Sequence, residues 1–278
     1  MKALTLSALL LASPALAGGE RVITLGGSVT EIAVALGAQD RLVARDTTSN
    51  FPPEIEALPD VGYIRALSAE GVLSLDPDLI VAEGDAGPQQ AVDVLKETGV
   101  PFVLVPEDPT PQGIADKITA VAAALDMPEA GAALAAQVQE GLAAAEARAA
   151  AVTDRKRVLF ILSLQGGRIM AGGEGTEAEG IIRLAGGENA ATGFQGYKQI
   201  ADEAVLTAAP DLILMMAREG DLSIADADIL AHPALAETPA ARNGALVRMD
   251  GMLLLGFGPR TPEAARALYD ALYGQAGG

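Results

Sequence analysis

Short, uniformly apolar runs alternate with longer stretches in which apolar residues recur every three or four positions. The runs at 21–25, 42–44, 79–82 and 102–105 read as strands. Helices read between them: one ending near Leu36 and closed by Gly37, then 67–75, 89–98 and 112–125. Ser28 or Thr30 is expected to cap the first helix and Ser68 the second. The second half repeats the alternation. It has a strand at 157–162, a glycine-rich turn at 170–175 and a helix stopped by Gly186 and Gly187. A helix at 201–208, strands at 212–215 and 246–249, and a closing helix at 262–273 follow. Strands apolar on both faces, separated by helices, predict an α/β fold with open, mainly parallel sheets.

One segment occurs twice. Glu70-Gly-Val-Leu-Ser-Leu-Asp-Pro-Asp-Leu-Ile80 returns as Glu203-Ala-Val-Leu-Thr-Ala-Ala-Pro-Asp-Leu-Ile213, identical at seven of eleven positions. A single repeat at such long spacing implies two similar Rossmann-like lobes rather than a solenoid. Between them, 128–152 is rich in alanine, with Leu134, Val138 and Leu142 on one stripe. It predicts one long backbone helix of roughly 35 Å, with Asp126 as its cap, Pro128 in its first turn and Gly141 in its interior. A rod is a poor hinge, so little closure on a ligand is expected. The expected organisation is a leader at 1–17, an N-terminal α/β lobe at 18–126, a linking helix at 127–153 and a C-terminal α/β lobe at 154–278.

The leader reading rests on Lys2, an apolar stretch at 3–12, and the small-x-small site Ala15-Leu16-Ala17. It implies export with cleavage before Gly18. The apolar stretch is too short to span a bilayer. The chain contains no cysteine, hence no disulfide, no thiolate site and no lipid-bearing cysteine after the leader. A periplasmic, unanchored, monomeric protein is expected. The formal charge of −18 repels phosphates and argues against nucleic acid as partner. An anionic ligand would need locally placed arginine.

Little here suggests an enzyme. There is a single histidine, no Gly-x-Ser-x-Gly, and the Gly172-Gly-Glu-Gly175 stretch lacks the lysine of a phosphate loop. Zinc or manganese capture would want several histidines.

The stretch Gly62-Tyr-Ile-Arg-Ala-Leu-Ser-Ala-Glu-Gly71 carries a specific signature, supported by 44–48, 196–198 and 243–262. On these residues the chain resembles the haem-binding, helix-backbone (class III) periplasmic substrate-binding proteins of ABC importers, over about 21–273. The resemblance implies haem as the transported ligand, Tyr63 as axial ligand of its ferric iron and Arg65 as support. Phenolate is a hard anionic donor suited to Fe(III), and an adjacent guanidinium favours the phenolate. On spacing alone, Tyr63 reads first as an ordinary half-buried loop tyrosine, and the ligand role comes from the resemblance. Alternate residues of an extended segment share a side, which would let Tyr63 and Arg65 converge.

Haem propionates call for arginine. Arg218, after the strand at 212–215, and Arg45, after the strand at 42–44, are candidates, with Tyr197 as a further haem contact; each also reads as a solvated surface residue. Met215, Met216 and Met252 could line an apolar pocket or pack in the core. His232 precedes a proline, where a turn or cap role is expected, so the iron should be five-coordinate or take water. The resemblance gives Glu70 and Glu203 another role, docking into basic pockets of a permease dimer that works with its ATPase. The repeat suits a two-fold partner, while helix-dipole stabilisation explains the same carboxylates. Cobalamin or a ferric siderophore are alternative ligands on the same fold, and a periplasmic enzyme is the third reading.

Overall fold

The computed structural model describes residues 19–217 and 224–274. The expected leader and Arg218 lie outside the described residues. The N-terminal lobe runs β1 (Val22–Leu25), α1 (Gly27–Ala35), β2 (Leu42–Arg45), α2 (Ala69–Leu73), β3 (Leu79–Glu83), α3 (Gln89–Glu97), β4 (Phe102–Val105) and α4 (Pro111–Ala124). Its four strands pair in the order β2-β1-β3-β4, all parallel. The backbone helix α5 (Pro128–Ala150) leads to β5 (Arg157–Gln165), β6 (Arg168–Gly172), α6 (Glu177–Leu184), β7 (Glu188–Asn189), β8 (Tyr197–Ile200), α7 (Asp202–Ala208) and β9 (Leu212–Met216). Four short elements follow: α8 (Asp226–Leu230), α9 (Pro233–Ala236), α10 (Pro239–Arg242) and β10 (Leu246–Met249). The chain closes with α11 (Gly251–Leu255) and α12 (Thr261–Tyr273).

The second sheet has the order β10-β9-β5-β6-β8, with β7 also on β5. Its β10, β9, β5 and β7 are parallel, while β6 runs antiparallel to both of its neighbours, β5 and β8. This corrects the expected turn at 170–175, whose first three residues are strand. Gly166 and Gly167 both have positive φ between β5 and β6, the requirement of a tight two-residue hairpin.

The repeat is reproduced in three dimensions. Asp78 accepts hydrogen bonds from the amides of Glu20 and Arg21, both at 3.0 Å. Asp211 accepts one from the amide of Arg157 at 2.9 Å. Asp76 and Ala209, each just before the repeated proline, both take a left-handed backbone, φ 50° and 42°. Each lobe therefore ties its first strand to the strand of the repeat.

Two expected caps are absent. The first helix starts at Gly27 behind Gly26, whose φ is 111°, and Ser28 and Thr30 lie buried inside it. Their hydroxyls bond tertiary partners instead: Ser28 donates to Glu83, and Thr30 donates to Thr24 at 2.8 Å. Asp126 is left-handed, and α5 begins after Met127 with no side-chain cap. The Ser68 cap forms, its hydroxyl accepting the Gly71 amide at 3.2 Å.

The lobes share one apolar core. Val29, Ile118 and Val121 of the first lobe, Leu142 of α5, and Phe160, Ile181 and Leu268 of the second belong to a single buried cluster. The segment 252–260 crosses the lobe boundary. A side chain at Gly27 would strike Met252, Lys117 Nζ reaches the Gly256 carbonyl at 3.4 Å, and Arg260 grips Glu31. Met252 thus packs between the lobes, while Met215 is core and Met216 packs beside Gly251. This continuous packing, together with α5, opposes hinge closure.

Candidate functional site

Open α/β sheets bind ligands beyond the carboxyl ends of their strands. In the first lobe that edge carries the chain from Asp60 to Leu67 and the residues just after β3 and β4. The 60–67 segment is pinned from both sides. Arg45 N donates to the Pro59 carbonyl at 3.0 Å, Val61 N to Arg45 at 2.9 Å and Thr47 N to Gly62 at 3.0 Å. On the other flank Gly87 N donates to Ile64 at 2.9 Å and Leu67 N to Gly87 at 2.8 Å. Ile64 and Leu67 are buried, while Tyr63 and Arg65 on either side of Ile64 are exposed.

Tyr63 is 43% exposed, and its hydroxyl accepts a hydrogen bond from Arg65 Nη1 at 3.2 Å. The segment is not extended, as the spacing argument assumed. Residues Ile64–Ala66 form a 3-10 turn that Tyr63 precedes, and the length of the arginine brings the two groups together. Arg65 is held in turn by Asp85, just past β3, in an ion pair with its Nε and Nη2.

Arg45 is engaged within its own lobe. Its side chain is only 12% exposed and pairs with Asp60 at 3.2 Å, while Asp60 also accepts the Gly62 amide at 2.8 Å. That geometry braces the turn before Tyr63 through one nitrogen of the guanidinium.

Carboxylates gather on the same wall. Glu83, Asp85 and Glu107 each offer an oxygen within 4.8 Å of the others. Burial pushes the Glu83 carboxyl up to about 7, against the pull of Lys117 and Ser28. Lys117 Nζ lies 4.0 Å from Glu83 and donates to Ser28 Oγ at 2.9 Å. The Glu107 carboxyl is also raised, by desolvation first and then by Asp85. Sequence reasoning missed these acids, although Glu83, Asp85 and Glu107 follow the apolar runs at the ligand edge of the sheet, a signal that could have found them.

The second lobe presents Tyr197 and Glu177. Tyr197 opens β8, rests edge-on against Phe160 with ring centroids 6.3 Å apart, and donates its hydroxyl to Glu177 at 2.8 Å. Burial, and then the Glu177 charge, push its phenol far above the usual range, so it stays protonated. Arg65 opposes that shift, and Glu177 adds to the shift on Glu107. The first lobe thus presents a half-exposed, arginine-held phenol and the second a phenol that stays protonated.

The remaining candidates lie elsewhere. His232 caps α9, its Nδ1 accepting the Ala234 amide at 3.2 Å, and its Nε2 lies 3.1 Å from the Gly167 carbonyl. Glu70 and Glu203 are both exposed and both second in their helices, α2 and α7. No helix among the described residues is long and apolar enough to cross a membrane.

Three comparisons bear on this arrangement. The fold superposes on periplasmic heme-binding protein BhuT in complex with two hemes, with a TM-score of 0.86, 41% identity, and coverage of 91% of this chain and 97% of that one. Periplasmic heme-binding protein RhuT from Roseiflexus sp. RS-1 gives the same TM-score at 37% identity, covering 91% and 99%. The vitamin B12-binding protein of Vibrio parahaemolyticus is 31% identical over 195 residues, 70% of each chain. Residues 22–253 match the family described as Periplasmic binding protein, and with two α/β lobes on a single backbone helix the chain belongs to that family.

Proposed function

We propose that the chain captures ferric haem in the cleft between its lobes and hands it to an ABC permease. The observation that carries this reading is Tyr63, a half-exposed phenol at the ligand edge of the first sheet whose oxygen is held by Arg65. Two solved relatives above one third identity are named for haem binding. A phenolate gives Fe(III) a hard anionic fifth ligand, and the guanidinium stabilises that anion in the bound state. Tyr197 closes the opposite wall as a neutral phenol, while Arg218 is the proposed partner of a propionate. Glu70 and Glu203 are proposed as the paired docking contacts to the two permease subunits. On this reading, residues 1–17 direct export and the working protein is periplasmic.

Cobalamin is the second reading, favoured by the vitamin B12-binding relative. It needs no phenolate. Titration of the purified protein with haem and, separately, with cyanocobalamin distinguishes the two. The haem reading expects a shifted Soret band with a high-spin tyrosinate charge-transfer feature that disappears in Tyr63→Ala. Saturable cobalamin binding without a haem spectrum would overturn it, and an unchanged spectrum in Tyr63→Ala would remove Tyr63 as the ligand.

A further inference from the structure

Behind the Tyr63–Arg65 pair stands a third group that touches no ligand on the reading above. Asp85 binds Arg65 through Oδ2, at both Nε and Nη2, while Arg65 Nη1 donates to the Tyr63 hydroxyl at 3.2 Å. The guanidinium thus bridges a carboxylate and a phenol using different faces of its fork. The other Asp85 oxygen, Oδ1, is buried and accepts no hydrogen bond from a described residue. The Asp85 carboxylate also lies beside those of Glu83 and Glu107, each offering an oxygen within 4.8 Å of the others. Asp85 therefore sits where like charges repel it, held in place by Arg65.

We infer that Asp85 sets the charge of the metal-binding position and so selects for trivalent over divalent metalloporphyrins; the inference rests on Tyr63 as the axial ligand. A phenolate and a guanidinium together carry no net charge. Adding Asp85 makes the set −1. The core of a porphyrin bearing a trivalent metal is +1, and that of a divalent one is neutral. The complete set neutralises the first and leaves an uncompensated anion beneath the second. Without Asp85 that extra attraction for the trivalent core is lost and the preference weakens, leaving only what the hard phenolate itself supplies. Asp85 is thus a positioning and charge-setting residue, with Arg65 as the group through which it acts.

Gallium(III) and zinc(II) protoporphyrin IX carry the same propionates and neither changes oxidation state, so their affinity ratio isolates metal charge. The wild-type protein is expected to favour gallium. Asp85→Asn and Asp85→Ser should each lower the gallium-to-zinc ratio roughly tenfold, the scale of one unit charge in a partly wet site, while Asp85→Glu keeps it. A ratio unchanged in both neutral variants would overturn the inference. So would equal losses for both porphyrins, which would leave Asp85 a merely structural brace. If Tyr63→Phe leaves gallium binding intact, the axial-ligand reading fails in its own right, a result separate from any behaviour of the Asp85 variants.

Discussion

Glu31 on α1 and Arg260 at the start of α12 form a two-pronged ion pair across the lobe boundary. Arg260 Nε donates to Glu31 Oε2 at 3.0 Å and Nη2 donates to Oε1. The guanidinium also lies 3.6 Å over the Phe51 ring. Removing one partner strands a charge in a buried place, which is worse than removing both. Arg260→Met should therefore cost about 2–3 kcal/mol, less than a fully buried pair because the arginine keeps some solvent contact. The double variant Glu31→Gln/Arg260→Met should recover part of that loss. Urea unfolding midpoints of the three proteins check the order.

Glu83 makes stability depend on pH. Its carboxyl is raised from 4.5 to about 7 by burial, so between those values the folded state holds a proton that the unfolded chain releases. The folded state binding more protons means that stability falls as pH rises through this window. The full effect is about 3 kcal/mol. Glu83→Gln should flatten that slope. A slope that persists in the variant, measured by urea unfolding from pH 4.5 to 8, would assign it to another group.

Gly141 lies inside α5, where glycine ordinarily weakens a helix by about 1 kcal/mol relative to alanine. A Cβ there would stand 2.8 Å from Pro262 Cβ, and a proline ring has little freedom to move aside. Overpacking of this kind costs about 1–3 kcal/mol, so it outweighs the propensity gain. Gly141→Ala is expected to lower the melting temperature. A higher one would show that α5 and α12 can slide apart without loss.

Features carried by local chemistry were legible in the sequence. The repeat around Glu70 and Glu203, the Ser68 cap and the continuous apolar strands each follow from a few adjacent residues, and all stand in the structure. The β6–β8 arm was not, because glycines at 166, 167 and 172–173 interrupt its alternation and its pairing is set by the neighbouring strand. Ser28 reads as a cap by residue type, but Glu83, 55 positions away, takes its hydroxyl. The site divides in the same way. Tyr63 and Arg65 are two residues apart and could be seen together, whereas Arg65–Asp85 and Arg45–Asp60 exist only once the sheet has assembled.

The docking proposal separates capture from delivery. Glu70 and Glu203 are exposed and take no part in the contacts that join Tyr63, Arg65 and Asp85, so alanine at either should leave haem binding unchanged. The stability cost should be small, about 0.5 kcal/mol from the lost first-turn carboxylate. Loss should appear only with the partner, where a charge-assisted contact orients the two proteins. Each single variant is expected to weaken stimulation of permease ATPase activity in reconstituted membranes, and the double variant to abolish it. High salt should mimic the substitutions, since exposed pairs are screened. Because the two carboxylates occupy the same place in each lobe, the single variants should be impaired to similar degrees. Strong loss in one and none in the other would mean that the permease reads only one lobe, and that the repeat serves the fold rather than the partner.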